Sequence, residues 1–446
     1  MRNRSEKRRW NEEDIQGLAE EVYVYGYPAL LLDTMRRMHT AFPFPTAEGA
    51  PINHFWHSRF LPHLHLKRPL RPHADSLSST AWVDVSREPV IVSIPATDRY
   101  YLLSIFSAWG DIFEAISTRT GGMGGLRAAL VGPRWKGRLP DGVSSLVTSS
   151  NIVWINGRVQ MTGAEDLQLA HHVQDQFALT PLSGWGKSEP PHTSPFPPDI
   201  DKGATALDYV GKLSAPGFYT RLSRLMRKIP PPVSDALVLR RFAQIGFFPS
   251  DDFAFERLPA LTAQAMQSAT TGARLTIARA AESPALHVNN WSMRIHPRRS
   301  DRNYLSRAAA AMSGFSYSLA EEVTAFHAAK DRAGEMLRGT NEYVIQFDQE
   351  HLPPVNGFWS VTLYDSKHLL SANSIHRHVL GDRDRLRLNP DNSISIYIQH
   401  NWPGTMKDCN WLPAPRETFE LVLQLYWPKT EVLGGMWRPP ALTRIH

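Results

Sequence analysis

Five histidines, His54, His57, His63, His65 and His73, fall within twenty consecutive residues, although 18 histidines among 446 residues would place about one there. Neutral imidazole is a common metal ligand and titrates near neutrality. Alternate side chains of an extended segment share a face, so His63 and His65 could hold a divalent metal with His57, and Asp75 could add an oxygen. Zinc or iron would accept such nitrogen and oxygen donors. The competing reading is preferred: loop histidines are solvated or hydrogen-bonded locally, and no cofactor is expected. A second grouping, His400 with Asp408 and Cys409, has the residue types of an activated thiol. A lone cysteine is more often an inert filler. The serine elbow G-x-S-x-G, the phosphate-binding P-loop and the zinc motif H-E-x-x-H are all missing. The run Gly121, Gly122, Met123, Gly124, Gly125 lacks dinucleotide-loop spacing and reads as a flexible turn.

The elements that must position these groups alternate in type. Residues 11–38 read as a helix: Asn11 can cap it, Glu13 and Asp14 suit its first turn, and Val22, Tyr25, Ala29 and Leu32 recur at helical spacing. The Pro- and His-rich stretch 42–75 reads as an extended loop. Short runs rich in Val, Ile, Tyr and Trp follow at 80–85, 89–94, 100–106, 128–131 and 151–155, punctuated by Gly and Pro as in a sandwich or barrel. Residues 164–179 turn helical, 189–198 (EPPHTSPFPP) form a linker or arm, and helical patterns dominate 203–282, 304–312 and 318–330. Strand patterns return at 343–347, 358–364, 394–399 and 419–426. The expected fold is mainly β with helical segments, an α+β arrangement. A basic tail (1–10) precedes a β-rich domain with an opening helix (11–188), a Pro-rich arm with helical connections (189–330) and a second β domain (331–446).

Composition narrows the function classes. Hydrophobic residues at 42% and charged residues at 21% suit a globular chain with a real core. No apolar run is long enough to span a membrane as a helix, so no membrane partner is expected. Lys and Arg exceed Asp and Glu by 49 − 43 = 6. Arg2, Arg4, Lys7, Arg8 and Arg9 against Glu6 account for four of these, leaving the body about +2. A nucleic-acid partner needs a basic face on the folded body, and none is expected. The basic start is followed by Asn11, Glu12, Glu13 and Asp14 rather than an apolar signal core. With Cys409 as the single cysteine, the chain as it stands reads as cytoplasmic. A removed export signal would make it periplasmic or secreted.

The C-terminal third carries recognisable motifs. LPPVNGFWSVTLYD (352–365), the G-D-R of Gly381–Arg383, YIQH (397–400), NWLPAP (410–415) and LYWP (425–428) resemble the DUF1214 signature, in its order. The first half resembles the companion DUF1254 region at Tyr25–Pro28 (YGYP), RPHADS (71–76), Trp82, Tyr101, Trp109, Arg158 and Leu179–Leu182 (LTPL). It departs from that pattern at His73, where Asn is usual, and at Ser78, where Tyr is usual. Asn290, Trp291 and residues 304–308 fit the segment between. The resemblance implies an N-terminal β-sandwich-like domain, a helical middle and a C-terminal jelly-roll-like domain. It implies no settled activity.

The polar and aromatic residues inside those motifs suit a cleft in which a few polar groups fix a ligand between apolar walls. Arg71, Asp75, Trp109 and Arg158 come from the first region, and Asn356, Trp359, His400, Asn410 and Trp411 from the second. The reading is an enzyme acting hydrolytically or as a lyase on a small organic molecule between the two β domains, without a nucleotide cofactor. His400 would be the acid–base group, Asp75 its orienting partner or second acid, and Arg71 with Arg158 the clamp for an anion or developing oxyanion. Trp109, Arg158, Asn356, Trp359, Asn410 and Trp411 would bind the substrate. The Arg71–Asp75 segment should then approach His400 or Trp411. The alternatives are a carbohydrate- or small-molecule-binding module, using the Trp faces, and a structural protein whose Pro-rich arm wraps a neighbour in a homo-oligomer.

Overall fold

The computed structural model describes residues 11–61, 71–185, 195–197, 199–201, 203–283, 286–293, 302–315 and 317–445. The basic tail, His63, His65 and most of the Pro-rich arm lie outside these residues.

Helix α1 (Glu12–His39) opens the chain, with the Asn11 side chain accepting from the Asp14 amide at 2.7 Å. Its first turn is acidic and its last carries Arg36, Arg37 and His39, which complements the helix dipole. The first β region contains β1 (Phe55–His57), β2 (Ser76–Asp84), β3 (Val90–Ile94), β4 (Tyr101–Ser107), β5 (Ile112–Ser117), β6 (Leu126–Val131), β7 (Ser144–Val147), β8 (Ile152–Gln160) and β9 (Ala178–Pro181), with short helices α2 (Thr118–Gly121) and α3 (Leu167–Gln174). These strands form two sheets, in the orders β1-β2-β8-β4-β5 and β7-β6-β3-β9. Val83, Val92, Leu103, Ile105, Leu130 and Ile155 fill the space between them. The other face of the five-stranded sheet carries Trp82, Phe106 and Trp154, and these pack against helices.

Those helices are α1 together with α4 (Ala206–Lys212), α5 (Ala215–Lys228), α6 (Ala236–Phe242), α7 (Ala260–Glu282) and α8 (Tyr304–Met312). Helix α1 lies against α7, α8, α4 and α5, so the opening helix joins the helical middle across about 200 residues of sequence. Gly26 makes that approach possible, because a Cβ there would meet the Leu222 side chain at 2.1 Å.

The second β region comprises β10 (Leu286–Val288), β11 (Trp291–Met293), β12 (Val323–Ala328), β13 (Tyr343–Phe347), β14 (Trp359–Asp365), β15 (Val379–Gly381), β16 (Ile394–Gln399), β17 (Trp411–Pro413), β18 (Phe419–Tyr426) and β19 (Thr443–Arg444), with the one-turn helix α9 (Thr430–Leu433). Its sheets run β10-β11-β12-β18-β14-β15 and β17-β16-β13-β19. The fold is α+β, with sheets at both ends of the chain and a helical middle. One expectation fails: 318–330 reads as a helix but contains strand β12. Alternation of buried Thr324, Phe326 and Ala328 and pairing with β18 decide it.

Candidate functional site

Strand β18, FELVLQLY, builds the site by its period of two. Phe419, Leu421, Leu423 and Leu425 enter the core of the second sandwich. Glu420, Val422, Gln424 and Tyr426 therefore point the other way, yet all four are buried. The first domain covers them. Ser360, Thr362 and Tyr364 of β14 share this face, since Ser360 pairs with Gln424 and Thr362 with Val422. The covering segment is Arg71–Ser76, which leads into β2.

Asp75 sits at the centre of this seam, 5% exposed. It accepts from Ser360 Oγ at 2.7 Å, from the Tyr426 hydroxyl at 3.0 Å and from Ser76 Oγ at 3.1 Å. Burial, and then the Asp75 charge, hold the Tyr426 phenol far above its usual range, so it remains a donor. Tyr364 reaches back from β14 to the Pro72 carbonyl at 3.0 Å. Arg71, in the left-handed backbone region at φ 52°, forms a bidentate pair with Glu420 at 2.6 and 3.0 Å. His368 Nδ1 lies 2.8 Å from the same carboxylate. Burial would raise the Glu420 carboxyl, but the bonds from His368 and Arg71 overcome it and hold the group at about 2.

Arg158, on β8 opposite Ser78 and Leu102, is 7% exposed. Its hydrogen bond among the described residues is a long 3.5 Å contact from Nη1 to His73 Nδ1, and no carboxylate among them pairs with it. His73 Nδ1 also lies 4.0 Å from Asp75 Oδ1. Burial and the Arg158 charge push the imidazole well below its ordinary value. Gln424 lies against the His73 ring, but its Oε1 makes no hydrogen bond of normal geometry among the described residues, nor does the buried Thr362 Oγ1. The seam thus holds a neutral imidazole set against Gln424 and a guanidinium short of acceptors.

The other expected site residues lie elsewhere. His400 is exposed at the end of β16, in the four-stranded sheet beyond the core of the second sandwich, with Nδ1 2.9 Å from the Ala414 carbonyl. Trp411 is buried beside it and donates to the Gln399 carbonyl. No hydrogen bond joins either to the Arg71–Asp75 segment among the described residues; Ser360, Glu420 and Tyr426 are that segment's partners from the second domain. Asn410 spends its amide on Arg387 and the Ser395 carbonyl, turning a corner. Trp359 fills the second core against Phe347, and Trp109 packs at a tilt against Tyr25 in the helical core. Asn356 lines a separate cleft. Cys409 is half-buried in a single helical turn whose neighbour Asp408 accepts from Trp402. His57 hydrogen-bonds Ser79 at 2.9 Å, and burial, then Arg59, push it down to about 4. Among the described residues no three His, Cys, Asp or Glu side chains group as a metal site; His63 and His65 lie outside them.

Sequence reasoning missed Ser360, His368, Glu420, Gln424 and Tyr426. The signal was present in β18, where a wholly apolar face alternates with Glu, Gln and Tyr. A solvent-facing strand edge gives the same pattern, and only the covering domain separates the two.

A protein of this build is a pair of β sandwiches joined through a helical bundle, with a polar seam where the first domain's loop meets the second domain's central strands. The model for "Protein of unknown function (DUF1254)" matches residues 52–181, and that for "Protein of unknown function (DUF1214)" matches residues 322–430. The chain belongs to the family that carries these two domains. Among solved structures, the VPA0106 protein from Vibrio parahaemolyticus is 24% identical, with a TM-score of 0.72 over 97% of this chain and 100% of that one. That likeness shows the fold. An uncharacterized protein from Burkholderia cenocepacia is 13% identical, with a TM-score of 0.44 over 97% of this chain and 94% of that one. A search of curated proteins finds no match. Among the described residues no helix is long and apolar enough to cross a membrane.

Proposed function

We propose that the seam binds a small organic anion and that the protein is an enzyme acting on it, by hydrolysis or by a lyase-type elimination. One observation carries this reading: Arg158 is buried between two domains without a carboxylate partner among the described residues. A buried guanidinium is costly unless paired or fully hydrogen-bonded, and a carboxylate or developing oxyanion supplies the missing acceptor in bidentate form. With Arg158 donating to Nδ1, the neutral His73 carries its proton on Nε2, which suits it to donate to the same ligand. Asp75 accepts from three hydroxyls and fixes the segment that bears His73. Arg71 is paired through Nε and Nη2 with Glu420 and acts on position rather than on substrate.

A second reading is favoured by the completeness of the bonds at Asp75: the seam is a scaffold that locks two domains together. A calorimetric and turnover screen of small carboxylates and their esters, run on wild type, Arg158→Gln and His73→Asn, separates the two. The enzyme reading expects a binder whose affinity falls at least tenfold in Arg158→Gln, the loss of a charge-assisted pair of about 1.5–3 kcal/mol. His73→Asn should keep the binding and change turnover. Undiminished affinity in Arg158→Gln would leave only the scaffold.

A further inference from the structure

A second cleft, of about 400 Å³, opens where the loop before β14 meets the end of β18. The two segments pair backbone to backbone: the Asn356 amide donates to the Trp427 carbonyl at 2.8 Å and the Lys429 amide to the Pro354 carbonyl at 2.9 Å. Trp427 sits there in the left-handed region at φ 51°, a conformation that a bulky residue adopts only at a cost. Its own amide is held at 2.8 Å by the Glu322 carbonyl. The chain therefore spends strain to present an indole that is only half-buried, at the wall of a cleft.

The polar lining is arranged as a receptor. Arg119 donates from Nε to Glu322 Oε1 at 2.7 Å, and its terminal Nη groups make no hydrogen bond among the described residues. Glu322 is fully buried, accepts also from Ser117 Oγ at 3.0 Å and leaves Oε2 without a hydrogen-bond partner among the described residues. It anchors the guanidinium from behind, as a carboxylate orients a binding arginine. Lys429 and Asn356 are exposed at the same cleft, and neither side chain has an ion pair or hydrogen bond among the described residues. Two cations, an amide and an indole face thus converge at one cleft, and of these Arg119 is tied to the fold through Glu322 and Trp427 through the Tyr100, Phe358 and Tyr426 cluster behind it.

The rim chooses the anion. Glu321 and Glu431 also line the cleft, and like charges repel a dianion such as phosphate more than a monoanion. The flat Trp427 face adds stacking surface for a ring. We propose that this cleft is a second binding site, separate from the seam, for a monocarboxylate carried on a ring, with Arg119 and Lys429 holding the carboxylate and Trp427 holding the ring.

The shared chemistry has two sources, an aromatic acid or a sugar acid. The test titrates benzoate and D-glucuronate, with benzamide and D-glucose as neutral counterparts, into the full chain by calorimetry. At least one acid should bind at millimolar concentration or better, and its neutral counterpart should not. Lys429→Gln and Asn356→Ala are exposed substitutions and should leave the melting temperature unchanged. Lys429→Gln should weaken the acid about fivefold or more, as expected for loss of a charged partner, and Trp427→Ala should weaken it further. Arg158→Gln should not weaken it, which keeps this site distinguishable from the seam. No binding of either acid at 10-fold above millimolar, or binding that is unchanged in both Lys429→Gln and Trp427→Ala, would overturn the proposal. Tighter binding of inorganic phosphate than of either acid would also overturn it.

Discussion

Glu420 shows how much one residue can be asked to do. It is 11% exposed at its side chain, bonded by Arg71 and His368, and held at about 2 against an ordinary value of 4.5. A carboxyl whose folded value is depressed stabilises the fold above its unfolded value and loses that contribution as pH falls toward the folded one. The window is therefore pH 4.5 down to about 2. Its ceiling is about 3 kcal/mol, because each tenfold change in proton affinity is worth roughly 1.4 kcal/mol. Glu420→Gln should be less stable than wild type at pH 7 by about 2–3 kcal/mol. The difference should close as both are titrated below pH 4.5 in chemical denaturation. A gap that persists unchanged at pH 2 would mean that the loss is one of packing. Cys409 marks the opposite extreme. It lies in a single turn away from the seam, and His400 is already bonded to a carbonyl. Cys409→Ser should leave any turnover within a few-fold of wild type, whereas loss of a true thiolate nucleophile would remove several orders of magnitude.

At the scale of elements, β18 carries two cores at once. Its odd-numbered residues close the second sandwich, and its even-numbered ones meet the first domain. The hydroxyls that β14 and β18 send to Asp75 are consequently domain-joining bonds. Ser360→Ala and Tyr426→Phe should each destabilise by about 1–3 kcal/mol, because each leaves a buried carboxylate short of a donor. The double variant should lose less than the sum, since both serve one acceptor. Strict additivity in thermal or denaturant unfolding would show that the two hydroxyls act independently. These elements were largely legible in the sequence. The opening helix, the strand runs of the first domain and the four strongest strands of the second appear within a few residues of their expected places. The failure at 318–330 is instructive: AEEVTAFHAAK holds Ala and Glu, good helix formers, around a β-branched pair, and propensity misleads until β18 supplies the partner strand. The site was half legible. Arg71, Asp75 and Arg158 do meet at one seam between the domains. Their partners from the second domain could not be found by motif composition, because Trp359, Asn410 and Trp411 are as motif-like as Ser360 and Tyr426 while serving the core. Only the direction in which each side chain leaves its strand tells them apart.

The whole molecule is set against acid by histidines it keeps neutral. His39, at the end of α1, accepts from the Trp82 indole at 3.4 Å and is held at about 4 by burial. His57 on β1 is also at about 4, His73 at the seam is well below its ordinary value, and His378 in the second domain is lowered by burial, then by His376. In each case the unfolded chain takes a proton near pH 6.5 that the folded chain refuses. Stability is therefore present above pH 6.5 and falls as pH drops toward 4, by up to about 1.4 kcal/mol per pH unit for each such imidazole. Because the four sit in the helical junction, the first sandwich, the seam and the second sandwich, the loss spreads over every unit rather than loosening one. The melting temperature should fall steadily between pH 6.5 and 4.5. Growing positive charge on a chain already at +6 pushes the same way, so His39→Gln and His57→Gln distinguish the causes: each should flatten the slope in that window without altering it below pH 4. A slope identical in wild type and both variants would assign acid sensitivity to net charge alone. At the seam the same logic reaches function. His73→Asn removes the one imidazole beside Arg158, so a ligand bound there should show, in the variant, an affinity that no longer weakens or strengthens as pH is lowered through the range where the wild-type ring takes up its proton.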